Sequence, residues 1–255
     1  MRIKFFFALL LLCLLPTLSV AANISLSDVI RTLETPFQTT GAGKSGLIED
    51  FQAEFFQESQ IASLDRVQRG EGNVSFRFVI HSRDQVPQAM FRWEYRRPSI
   101  QEIVSDGRTL WVYIPENRQV IESDLTDVSL RQSDNPVTFL SGLGNLSRDF
   151  NIRWGAPNID RDGNYVLELQ PRRSSQMIQA LQIVVDRDAV SDYQNKKTGR
   201  LFPILATRVT DPNGNLTSIE FRDIRVNRNL SERFFAFRTP AGVEVVRPSG
   251  DQLGY

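Results

Sequence analysis

The sequence predicts a mainly β protein: one antiparallel meander of short strands with about two short helices. Three observations carry that expectation. From residue 50 onward apolar and polar residues alternate with period 2, the repeat of a strand whose two faces meet different surroundings. The pairs Asp106-Gly107, Asp162-Gly163 and Asn213-Gly214 punctuate the alternation as tight turns. Helical periodicity is clear only near the start, so the helix that each strand of an α/β fold would need is missing.

In chain order, Met1-Arg2-Ile3-Lys4 is a short positive start and Phe5 to Leu15 an apolar run too short to span a bilayer comfortably. Leu18-Ser19-Val20-Ala21-Ala22 then offers the small residues of a signal-peptidase site. The expected organisation is a cleaved signal peptide over residues 1–22 and a single domain over 23–255. Leu26, Val29, Ile30 and Leu33 recur at helical spacing, Ser25 or Ser27 can cap the first turn, and Pro36 marks the end. Phe51, Ala53 and Phe55 alternate with Gln52 and Glu54, and Val74, Phe76 and Phe78 alternate with Ser75 and Arg77. Strands at 91–95 and 110–114 come next. Further strands are expected near 118–123, 150–154, 164–170, 180–186, 203–210, 216–226 and 234–238. Asn135-Pro136-Val137-Thr138-Phe139-Leu140-Ser141-Gly142-Leu143 interrupts the meander as a short apolar helix or turn.

Charge and cysteine content exclude several functions. Thirty basic residues balance thirty acidic ones, and loss of Arg2 and Lys4 would leave a net charge of −2. Such a chain has no global field to attract polyanions. Cys13, the only cysteine, lies in the leader, so the mature chain has no disulfide, thiol nucleophile or cysteine metal ligand. Five Asn-x-Ser/Thr triplets without disulfides fit a bacterial periplasm, where the triplets carry no meaning.

Little catalytic chemistry survives inspection. The Gly-Lys-Ser at 43–45 lacks the upstream glycine and the strand of a phosphate loop. His81 is the only histidine and sits among polar neighbours, so no catalytic triad assembles around it. Asn158, Asp160, Asp162 and Gly163 resemble half a calcium loop, but Glu168 falls one residue short of the closing ligand, and a hairpin turn is the better reading. Neither a cofactor nor a metal is expected.

The aromatic alternations remain. Phe91, Trp93 and Tyr95 alternate with Arg92, Glu94 and Arg96, and Trp111 and Tyr113 repeat the pattern. A buried β core, nucleic-acid stacking and an apolar ligand site compete for these rings. Stacking on nucleic acid needs rings and cations on one surface, whereas alternation sends them to opposite faces. A long antiparallel sheet with few helices cannot fill a large concave side by itself, which leaves room for a guest.

Phe91-Arg92-Trp93, the block Val104-Ser105-Asp106-Gly107-Arg108-Thr109-Leu110-Trp111-Val112-Tyr113-Ile114-Pro115, then Asn135-Pro136 with Phe139 to Gly142, and Phe235 to Val245 together resemble the LolA family of periplasmic outer-membrane lipoprotein carriers. The resemblance implies an incomplete, strongly curved antiparallel half-barrel with short α-helices as a lid over an apolar cavity. It implies a non-enzymatic carrier in the periplasm, a monomer. Its partners would be acylated lipoproteins, an inner-membrane lipoprotein-releasing ABC transporter complex and an outer-membrane acceptor lipoprotein. A related lipid-binding or lipoprotein-sensing regulatory domain is the alternative. Phe51, Phe55, Phe76, Phe91, Trp93, Tyr95, Trp111 and Tyr113 are the expected acyl-cavity residues. Val29, Ile30, Leu33, Pro136, Phe139, Leu140 and Leu143 are the expected lid. The family's lid-latching arginine has no one-to-one match, because Val79 to Met90 is longer here; Arg83 is the nearest candidate.

Overall fold

A computed structural model describes residues 24–38, 46–79, 88–125, 139–175 and 177–247. The expected signal peptide, His81, Arg83 and Pro136 lie outside the described residues, and of Phe139 only the backbone is described.

The chain begins with α1 (Leu26–Glu34), whose first turn is closed by a capping box: the Asp28 amide donates to the Ser25 hydroxyl and the Ser25 amide to the Asp28 carboxylate. Pro36 then tightens Thr35–Phe37 into a 3-10 turn. Strands β1 (Asp50–Ile61), β2 (Arg66–Val79), β3 (Gln88–Arg97), β4 (Gln101–Ser105), β5 (Thr109–Ile114) and β6 (Gln119–Asp124) follow as a meander. A 3-10 segment, Phe139–Asn145, and α2 (Leu146–Asp149) lead into β7 (Phe150–Ile159), β8 (Tyr165–Pro171) and β9 (Ala180–Val185). Next come α3 (Arg187–Gln194), β10 (Ile204–Thr210), β11 (Leu216–Val226), the 3-10 turn Glu232–Phe235 and β12 (Glu244–Val246).

All twelve strands form one sheet in the order β12-β6-β5-β4-β3-β2-β1-β11-β10-β9-β8-β7. Every pairing is antiparallel except that of β12 with β6. The sheet is curled and unclosed, a half-barrel as expected. Its outer edges are the three-residue β12 and β7, where Gly155 and Pro157 interrupt the pairing with β8 between Trp154 and Ile159. The hairpin reading of the acidic turn at 160–164 holds. Asp160 accepts the amides of Asp162 and Asn164 at 2.9 and 2.8 Å and the Asn164 side chain at 3.1 Å, so its oxygens serve the turn itself.

Cross-strand partners share a face, so register assigns the two sides of the sheet. Trp93 lies opposite Val74 and Ile103, Ile103 opposite Val112, and Val112 opposite Ile121; this row faces the concave side. Arg92 lies opposite Val104, Val104 opposite Trp111, and Trp111 opposite Glu122; this row faces outward. The concave face carries the main core, with Phe51, Phe55 and Phe76 at 0% exposure and Phe91 and Trp93 at 1%.

Three sequence expectations are corrected. Residues 234–238 do not form a strand: Phe235 ends a 3-10 turn and is buried, Phe237 stacks 5.8 Å from Trp111, and β12 lies further on. Helix α3 was not anticipated, because only Ala189 and Val190 of its eight residues are buried and they leave no readable periodicity. Trp111 and Tyr113 stand on the outer face rather than with Phe91 and Trp93. Strand β5 is apolar on both sides, since the C-terminal segment covers its outer face, and alternation alone cannot say which side is which.

Candidate functional site: the aromatic concave wall and its lid

The wall is built by the periodicity of four adjacent strands. Phe51 and Phe55 of β1, Phe76 and Phe78 of β2, Phe91, Trp93 and Tyr95 of β3 and Phe221 of β11 reach the concave side in register. Their rings interlock. Phe51 stacks on Phe76 at 5.1 Å and on Phe202 at 4.0 Å, Phe76 lies 5.4 Å from Phe91, and Phe55 meets Trp93 and Tyr95 edge-on at 4.9 and 4.8 Å. Offset and edge-on arrangements are those the ring quadrupole favours.

The lid covers this wall. Val29 and Leu33 of α1 are fully buried, Leu140 and Leu143 nearly so, and Ile30 packs partly buried against the same core. Phe37, just past α1, meets Phe78 edge-on at 4.9 Å. Among the described residues, few polar ties hold the lid elements together. The Gln38 side-chain amide donates to the Gly144 carbonyl at 2.8 Å, and the Ser147 amide donates to the Glu34 carboxylate at 2.6 Å. Gly144 permits a close approach here, since a Cβ would stand 3.0 Å from the Phe37 carbonyl oxygen, tighter than most such contacts.

Among the described residues the expected vacant hollow is closed: the rings are buried against one another and against Val29, Leu33, Leu140 and Leu143. Open pockets lie elsewhere. One of about 500 Å³ is lined by Phe56, Arg69, Glu71, Arg97 and Arg222 among others. Another of about 510 Å³ lies beside Arg92, Tyr113, Arg233 and Phe237. The second belongs to the outer face, where Arg92 donates to the carbonyls of Phe234 and Ala236 and pairs with Glu102 at 2.8 Å. Trp111 and Tyr113 thus anchor the C-terminal segment.

Toward the strand ends at Ile61 and Arg97 the concave face turns polar. The Tyr95 hydroxyl donates to Gln57 at 2.8 Å, the Gln57 amide donates to the Ser59 hydroxyl at 3.1 Å, and Ser59 and Thr217 share a hydrogen bond at 3.2 Å. Burial pushes the Tyr95 phenol up to about 12. Sequence reasoning named Tyr95 but missed Gln57, Ser59 and Thr217, as it missed Phe37, Phe78, Phe202 and Phe221 as wall residues. Phe78 and Phe221 carried the alternation signal, whereas Phe202 enters from a loop and carried none. Among the described residues no group of histidine, cysteine or carboxylates could hold a metal ion, and no helix is long and apolar enough to cross a membrane.

The family model described as outer membrane lipoprotein carrier protein LolA matches residues 47–238, most of the chain and all strands from β1 to β11. The chain belongs to the LolA family. Within that family it is 26% identical over 235 residues to an outer-membrane lipoprotein carrier protein of Hahella chejuensis, covering 92% of this chain and 98% of the relative. It is 25% identical over 220 residues to the protein of the same description from Methylobacillus flagellatus, covering 86% and 89%. A solved LolA superfamily protein of Nitrosomonas europaea superposes with a TM-score of 0.39 at 14% identity, covering 84% of this chain and 99% of that one. The family name supports a lipoprotein carrier role for the curled sheet and its lid.

Proposed function

We propose that the protein carries the acyl chains of lipoproteins across the periplasm, from an inner-membrane releasing ABC transporter to an outer-membrane acceptor lipoprotein, without chemical turnover. The observation that carries this reading is a wall of phenyl and indole rings closed by a lid that, among the described residues, few polar contacts hold. Two acyl chains of about sixteen carbons, at roughly 0.8 kcal/mol per methylene, cost on the order of 25 kcal/mol to expose to water. A bilayer offers comparable burial, so a carrier need only approach membrane affinity, and loading falls to another machine. Release asks for the opposite property. Each lid hydrogen bond contributes about 0.5–1.5 kcal/mol net, so α1 and the Phe139–Asn145 segment can lift from the wall and return. Guest chains then take the contacts that the lid residues make in the closed state.

Gentle purification of the mature chain followed by organic extraction is expected to yield acylated lipoprotein. Extracts free of it, under conditions that retain a bound hydrophobic dye, would overturn the reading. Capture of a signalling protein in place of the transporter would favour a sensing role.

A further inference from the structure

Trp93 stands apart in the wall it belongs to. Phe51, Phe55, Phe76, Phe78, Phe91 and Phe221 supply plain rings with no polar atom. Trp93 adds one polar atom, and that atom is stranded: the residue is 1% exposed and its Nε1 is buried with no hydrogen-bond partner among the described residues. Buried donors without acceptors are rare, because their lost hydration is not replaced. Water is a poor substitute, since a buried water needs two to four polar partners and the rings around Trp93 belong to Phe55, Phe76 and Phe221. By contrast, the Trp111 indole on the outer face has its acceptor in Glu122 at 3.3 Å.

A second observation fixes the direction of the missing partner. Along β3, Tyr95 is the next residue on the same face, and it opens the hydrogen-bonded row Tyr95–Gln57–Ser59–Thr217. In the other direction come Phe91, Phe76, Phe78 and Phe37, beneath the lid. Along the wall of β1, β2 and β3 the large side chains therefore run from phenyl rings under the lid, through one indole N–H, to hydroxyl and amide groups. An acylated molecule has the same sequence: alkyl tail, then a carbonyl of an ester or amide linkage, then a polar body.

We infer that the Trp93 N–H donates to the carbonyl oxygen of the guest's acyl linkage, setting the depth at which the chain sits, with the tail under the lid and the polar body leaving past Tyr95 and Gln57. This rests on the carrier reading and adds to it a preference for acyl esters and amides over bare hydrocarbon.

Displacement of a bound hydrophobic dye by methyl laurate and by tridecane, matched in carbon number, tests it in the native chain and in Trp93→Phe, which keeps a ring and removes the donor. The ester-over-alkane preference is expected to fall about fivefold in the variant, the worth of one net hydrogen bond. In the native chain, the Trp93 indole N–H resonance is expected to move downfield with methyl laurate and not with tridecane, a readout that stands even if Trp93→Phe folds poorly. An unchanged preference together with the same resonance response to both ligands would overturn the inference and leave the carrier reading standing. Failure of both ligands to displace the dye would overturn the two together.

Discussion

Phe91 and Trp111 are both rings in alternating strands, yet truncating them is expected to do different things. Phe91 is 1% exposed between Phe76 and Ser105, so Phe91→Ala leaves a hole in the main core and should cost about 3–5 kcal/mol of stability. Trp111 is half-buried on the outer face, stacked on Phe237, so Trp111→Ala should cost about 1–2 kcal/mol and leave dye displacement by methyl laurate within about twofold of the native value. Urea unfolding and dye displacement read both. Loss of ligand binding in Trp111→Ala with the fold intact would return that residue to the site. The sequence shows that each residue is aromatic and alternates. It does not show the face, because that depends on β4, whose Ile103 and Val104 relay the register from β3 to β5.

At the level of elements, the proposed opening of the lid turns on how well α1 is finished. The Ser25 hydroxyl accepts from the Asp28 amide at 3.1 Å, and the Asp28 carboxylate holds the Ser25 hydroxyl at 2.7 Å and its amide at 3.1 Å. Ser25→Ala removes this cap at a cost of about 1 kcal/mol. Amide exchange in α1 should then accelerate about fivefold, with exchange in β1 and β2 unchanged; equal acceleration throughout would mean that α1 does not open separately from the sheet. Helix α1 was legible from Ser25, Pro36 and the spacing of Val29, Ile30 and Leu33. Strands β1, β2, β3 and β5 were legible for the same local reason, a pattern written into consecutive residues. Helix α3 was not, because its Asp186 cap precedes too few apolar residues to show a stripe. The polar row from Tyr95 to Thr217 was illegible in principle. Its members come from β3, β1 and β11, and only the pairing of distant strands brings them together.

Across the whole molecule, the sheet's wall passes the strain of alkaline pH through Tyr95. Burial raises its phenol from about 10 to about 12. The fold thus favours the neutral form, and the associated stability is fully present below about pH 10 and lost as pH climbs toward about 12. Urea midpoints should fall across that window, and less steeply in Tyr95→Phe, which has no phenol to ionise; identical slopes would show that this tyrosine is not the group responsible. Sequence pattern foretold an antiparallel meander and the family resemblance a curved, open sheet, but neither foretold that the described rings would pack against one another on its concave side, since side-chain interdigitation depends on how far the sheet curls. Openness has another consequence. A sheet that does not close on itself has two margins with unmet backbone groups, which tend to recruit a second molecule. Here one margin is only three residues long, and the other is interrupted at Gly155 and Pro157, the latter lacking an amide to offer. Both margins thereby offer little to a strand from a second copy, so the open sheet carries its own guard against growing into fibres.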